Sequence, residues 1–163
     1  MGEVINLFKK DGCDLCMNIF EIAKAFLSME SMSNKKIQKL CYYAQAWHLA
    51  LNGEPLIDCE FEAWIHGPVC PQLYRKYKSN GYQNICKEAR LPESIATDSY
   101  VKEFLESIYN IYGNKSGDDL ELLTHNESPW KNARIGYEEW EPAYTNISQM
   151  DMKNYYSKIK NIH

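Results

Sequence analysis

Apolar and polar positions follow two different periods along this chain, and the change of period sets its organisation. Between Ser33 and Gly53, residues Ile37, Leu40, Cys41, Ala44, His48 and Leu51 recur at spacings of three and four, the signature of a helical face. Ser33 or Asn34 offers a side-chain oxygen to the first free N–H groups, and Gly53 supplies the stop. From Ile57 to Ile65 the period drops to two. Ile57, Cys59, Phe61, Ala63 and Ile65 alternate there with Asp58, Glu60, Glu62 and Trp64, which predicts a short strand or extended segment. Gly67-Pro68 ends it, and Pro68 is expected in the first turn of a new helix, where its missing N–H is not needed. Val69, Leu73, Tyr74 and Tyr77 would face inward until Asn80-Gly81.

On either side the helical period dominates. Asp14 is placed to cap a helix carrying Ile19, Ile22, Ala23, Phe26 and Leu27 on one face. Gln83 to Glu93 reads as a loop. Thr97 or Asp98 then caps a helix with Val101, Phe104, Leu105, Ile108 and Tyr112, stopped at Gly113. Ser116 and Asp119 have the spacing of a capping box ahead of Leu120 and Leu123. Ser128-Pro129 opens a short helix through Arg134, and Ser148 caps the last, with Met152, Tyr155, Tyr156 and Ile159. No internal repeat or low-complexity linker interrupts this order. The expected fold is mainly α: one compact helical domain over residues 14–163, preceded by a lead-in at 1–13, with a short extended element between two central helices.

The 163 residues are 45% hydrophobic and 25% charged, enough apolar matter for a core without cross-links. Twelve Tyr and four Trp add large apolar bodies with polar tips, suited to a core or an interface. The formal net charge is −4, so the chain lacks the cationic surplus from which nucleic-acid affinity derives, and DNA or RNA binding is disfavoured. The densest basic stretches, Lys35-Lys36 with Lys39 and Arg75-Lys76 with Lys78, read as solvated helix faces. No run reaches the ~20 apolar residues of a membrane span, and the first residues lack the features of a secretory signal. A cytoplasmic protein with reduced cysteines is expected.

Candidate chemistry is thin. Cys13-x-x-Cys16 has the spacing of half a zinc site or of a redox pair, but Cys41, Cys59, Cys70 and Cys86 are scattered and provide no second pair. Cys70 lies close to His66 in sequence, near a helix start that favours a thiolate, yet no motif supplies an orienting group or an oxyanion hole. Glu60 and Glu62 share a face of the extended segment and form a conceivable acid–base pair, although outward charges on an edge element also discourage aggregation. The eight glycines make no phosphate-binding loop. No catalytic, metal or cofactor site is expected, and the protein is read as a binder rather than an enzyme.

Three stretches carry a resemblance. They are Asn34 to Trp47 (NKKIQKLCYYAQAW), Phe61 to Val69 (FEAWIHGPV) continuing through Pro71 to Tyr74, and Leu123 to Trp130 (LTHNESPW) followed by Ala133-Arg134. In order and separation they resemble the Panacea domain of phage-associated SocA/GepA-type antitoxins, over about Asp14 to Ile159. Cys41 and Cys70 stand where that family often has an aliphatic residue. The resemblance implies an antitoxin that neutralises a cognate toxin encoded by an adjacent gene through protein–protein binding. It also implies, as an alternative, a proteolytic adapter that delivers the toxin to a protease; a DNA-binding regulator is a separate alternative, which the net charge disfavours. The resemblance implies no active site.

The residues that stand out as partner-binding or motif positions are Gln38, Tyr42, Tyr43, Gln45, Trp47, Glu62, Trp64, His66, Tyr74, His125 and Trp130. Large aromatics are favoured anchors at interfaces. The same aromatics would equally clamp the extended segment onto the helices, with Gln38, Gln45, Glu62 and His125 hydrogen-bonding buried backbone. In that case the toxin-specific surface lies elsewhere, the loop Gln83 to Glu93 being one place for it.

Overall fold

A computed structural model describes residues 16–162. Among them are eight helices and one two-stranded antiparallel sheet. The helices are α1 (Ile19–Met29), α2 (Asn34–Asn52), α3 (Pro71–Tyr77), α4 (Glu93–Ala96), α5 (Ser99–Tyr112), α6 (Gly117–His125), α7 (Ser128–Ala133) and α8 (Gln149–Ile162); β1 is Glu62–Trp64 and β2 is Gly67–Val69. The mainly helical fold with a small extended element is therefore as the periodicity predicts. The expected lead-in, with Cys13 and Asp14, lies outside the described residues.

The helix α2 is the axis of the fold. Ser33 caps it by accepting from the Lys36 N–H, and Gly53 ends it in the left-handed region at φ 76°. Helices α1, α5, α6 and α8 and strand β2 all pack on it, α8 most extensively. Seventeen of its nineteen residues are buried as a result, so the single apolar face read from the sequence understates what the helix covers. Lys36 and Lys39 are buried with it, not on a solvated face. The Lys36 ammonium is held by the Glu30 carboxylate at 2.8 Å and the Gly113 carbonyl at 2.7 Å. Lys39 donates to the Pro68 carbonyl at 3.2 Å, and burial pushes its amine down to about 7.

Two element starts differ from expectation. The first helix begins at Ile19, capped by the Asn18 side chain. Met17 cannot be helical, because it is extended against Ile57, its N–H donating to the Leu56 carbonyl and its carbonyl accepting from the Asp58 N–H. The second concerns proline. Pro68 lies in β2, paired with Ala63, and Pro71 opens α3 instead. The Ala63 N–H points away from β2, toward the Thr145 carbonyl at 2.8 Å. Pro68 opposite it therefore occupies a pair with no ladder hydrogen bond between the strands, where a missing N–H costs nothing.

The alternation over 57–65 survives as a pattern of burial: Ile57, Phe61 and Ala63 are buried while Asp58 and Glu60 are exposed. Only three of these residues join the ladder. On the other side of β1, Thr145–Ile147 runs antiparallel, with the Ile147 N–H on the Phe61 carbonyl at 2.7 Å. Elsewhere the predicted caps are present: Asp98 on α5, the Ser116/Asp119 box on α6 and Ser148 before α8. No described helix is long and apolar enough to cross a membrane.

Candidate partner-binding surface

The candidate residues divide into a buried set and an exposed set. Tyr42, Tyr43 and Trp47 project from α2 into the interior, each at most 1% exposed. Tyr43 stacks on Tyr112 of α5 at 4.0 Å between ring centroids, and the Trp47 indole N–H donates to the Tyr112 hydroxyl at 2.8 Å. Tyr156 of α8 closes the cluster edge-on to Tyr42 and Tyr43. At its centre lies Glu127, whose Oε1 accepts from the Tyr43 and Tyr156 hydroxyls, both at 2.8 Å. Burial raises its carboxyl from 4.5 to about 7, against the opposing pull of those two hydrogen bonds. No partner reaches these aromatics without opening the fold.

Gln38 and Gln45 hold the extended segment. Gln45 Oε1 accepts from the Leu56 and Ile57 N–H groups at 2.9 and 2.8 Å, and its amide donates to the Ile57 carbonyl at 3.0 Å. Gln38 Oε1 accepts from the Cys70 N–H at 2.9 Å, where β2 passes into α3. One side chain thus replaces the strand partner that each backbone stretch lacks. Trp130 is likewise a clamp: its indole N–H donates to the Trp64 carbonyl at 2.8 Å while its ring stacks on His125 at 4.0 Å. Burial holds His125 below the ordinary histidine range.

Trp64, Glu62, His66 and Tyr74 form the accessible part. The Trp64 ring is half-buried, edge-on to Tyr74 at 5.0 Å and to Tyr144 at 5.7 Å, and its N–H donates to the Glu62 carboxylate at 2.8 Å. His66 is exposed at the hairpin turn and faces Glu121 at 3.2 Å. Burial pushes the Glu121 carboxyl up, but hydrogen bonding and charge from Lys35, joined by His66, overcome this and hold it below its ordinary value.

Cys70 and His66 do not form the pair their proximity in sequence suggested. Cys70 stands at the N-terminal boundary of α3, and its thiol donates to Gln72 Oε1 at 3.0 Å rather than capping a helix N–H. A hydrogen bond with the Cys59 thiol, helped by the Leu73 and Gln72 backbone, lowers Cys70 to about 7 against the effect of burial. Among the described residues, no group of three or more His, Cys, Asp or Glu is placed to hold a metal ion. Beside β1 a groove of about 630 Å³ is lined by Asp58, Cys59, Glu60, Glu62 and Arg75 among others.

Two functional-looking groups escape a reading of sequence alone. Glu127 falls inside the third motif, and its position directly before Ser-Pro is the only mark it carries. Arg134 is 4% exposed; its Nη1 donates to the Ala63 carbonyl at 2.8 Å and its Nη2 to the carbonyls of Glu138, Glu139 and Glu141. All four acceptors are main-chain atoms, which leave no trace in residue type.

The family model described as "Antitoxin SocA-like, Panacea domain" matches residues 37–131. Among curated proteins, Antitoxin SocA of Caulobacter vibrioides (strain NA1000 / CB15N) is 31% identical over 109 residues, a match covering 61% of this chain and 58% of that protein. The chain therefore spans somewhat over half the length of that relative. No solved structure matches.

Proposed function

Because the chain belongs to the antitoxin SocA-like, Panacea-domain family, we propose that it neutralises a cognate protein toxin, encoded by an adjacent gene, by binding it without catalysis. The family match over residues 37–131 carries this reading. The geometry supports it in one respect. Most of the polar groups in the three motifs already serve the fold's own backbone and aromatics, whereas the accessible remainder, around Trp64 and Tyr74, is of the kind that binds proteins.

Co-expression with each neighbouring reading frame tests the reading. One of those frames should arrest growth alone and be rescued by this protein, with the two products recovered as a complex. Rescue with the toxin still abundant indicates sequestration, and rescue with protease-dependent loss of the toxin indicates delivery to a protease. If no neighbouring product is both toxic and rescued, the antitoxin reading is wrong.

A further inference from the structure

The segment from Arg134 to Thr145 leaves β1 and returns to it. Arg134 donates to the Ala63 carbonyl at one end, and the Thr145 carbonyl accepts from the Ala63 N–H at the other. Between these anchors the same guanidinium gathers the carbonyls of residues 138, 139 and 141, so the loop wraps a buried side chain. The loop shows four large apolar side chains to solvent alongside its glutamates. Ile135 is 78% exposed, Trp140 74%, Tyr144 65% and Tyr137 48%. Tyr144 continues through Trp64 to Tyr74, which makes one aromatic ledge across the loop, β1 and α3. Exposed apolar side chains in this density are uncommon outside contact surfaces, and a fixed backbone lowers the entropy lost when they are covered.

The loop side of the ledge carries one sign of charge: residues 135–145 include Glu138, Glu139 and Glu141 and no Lys, Arg or His. Glu62 adjoins it, bridged to Asn146, and the groove that holds Glu60 and Glu62 also holds Arg75, beside Tyr74 on α3. The Trp64 N–H is already engaged by Glu62, so its ring is offered to a partner as an apolar face. Aromatic faces beside carboxylates suit guanidinium and ammonium groups, which stack on the ring while pairing with the acid.

We propose that this ledge, centred on Trp64 and Tyr144 with the exposed Trp140 on the same loop, is the toxin-docking face, and that it takes an arginine- or lysine-bearing segment of the toxin. The inference rests on the antitoxin reading and locates it on the molecule. It places the face on residues other than the loop Gln83 to Glu93.

The test uses the full chain and the purified product of the adjacent toxic frame. Trp140→Ala with Tyr144→Ala should weaken binding on the order of 30-fold or more, as expected for interface aromatics. Glu60→Lys with Glu139→Lys should slow association and reverse its salt dependence. Tyr82→Ala, fully exposed just ahead of the loop Gln83 to Glu93, should leave binding unchanged. Circular dichroism and melting of each variant report whether the fold is retained. No complex with the unaltered protein removes the antitoxin reading and this surface together. A complex that both double variants leave at full strength removes the surface alone. Self-association that W140A/Y144A abolishes while toxin binding persists assigns the ledge to a second copy and overturns the proposal.

Discussion

Replacing Glu127 with Gln isolates the one acid that the aromatic core holds in its uncharged form. Its carboxyl sits at about 7 in the folded protein against an ordinary 4.5, because burial disfavours the anion more than the Tyr43 and Tyr156 hydroxyls support it. The folded chain therefore binds this proton more tightly than the unfolded chain does. The resulting stability is complete below about pH 4.5, declines as pH rises and is lost above about 7. At ~1.4 kcal/mol for each tenfold change in proton affinity, the full effect is about 3 kcal/mol, of which about 2–3 falls between pH 5 and 7.5. Lys39 and Cys70, both lowered, add stability as pH rises mainly above that range, and His125, also lowered, does the same below its ordinary 6.5. All three are retained in E127Q, so the difference between the two proteins belongs to Glu127. Urea unfolding at pH 5 and pH 7.5 should show the variant gaining about 2–3 kcal/mol on the native protein over that interval. For a chain of this length that is ~5–12 °C in Tm. Parallel stability profiles for the two proteins would show that the carboxyl is not held neutral and would refute the reasoning.

Other perturbations probe the remaining joints. Gln45→Ala strands two buried N–H groups at Leu56 and Ile57 and should cost about 2–4 kcal/mol in chemical unfolding, far more than a surface Gln→Ala change; a loss below about 0.5 kcal/mol would mean that water replaces the side chain there. Gly67→Ala would combine a φ of +102° with a Cβ placed 2.5 Å from Lys39 Cε and 3.0 Å from Thr124 Oγ1, and should cost about 2–4 kcal/mol, whereas an unchanged melting temperature would mean the hairpin turn can relax freely. Iodoacetamide at pH 8 should label the exposed Cys16 and Cys86 first and the buried Cys41 last, by peptide mass mapping. Cys70 should lag despite its lowered pKa because it is buried, and labelling as fast as Cys86 would instead mark it as an accessible nucleophile.

How much of this was legible in the sequence depends on where each residue's partner lies. Helices with a local signal were readable: Ser33, Asp98, Ser116 with Asp119 and Ser148 all bond N–H groups within three residues of themselves. Partners far along the chain were not readable. Lys36 and Lys39 look like a solvated face until Glu30, Gly113 and Pro68 are brought to them. Pro68 reads as a helix start from sequence alone, and the approach of Thr145 to Ala63, far along the chain, shows why it pairs in β2 and leaves Pro71 to open α3. Among the candidate residues, the aromatic excess was visible but its division was not. Tyr42, Tyr43 and Trp47 are enclosed because α5 and α8 close over α2, while Trp64 and Tyr74 stay near the surface because the loop from Arg134 to Thr145 flanks them rather than covers them. The exposed half of the ledge, Trp140 and Tyr144, lies outside the three motifs and became a candidate only through the fold.

Neutralisation by binding can be measured by titrating a fixed amount of the purified adjacent-gene toxin with this protein while following toxin activity and intact mass. Activity should fall linearly to a fixed molar ratio, with a complex of that ratio and a toxin of unchanged mass. Loss of activity at a small fraction of that ratio, or a toxin recovered with an altered mass, would contradict neutralisation by binding and point to an enzyme.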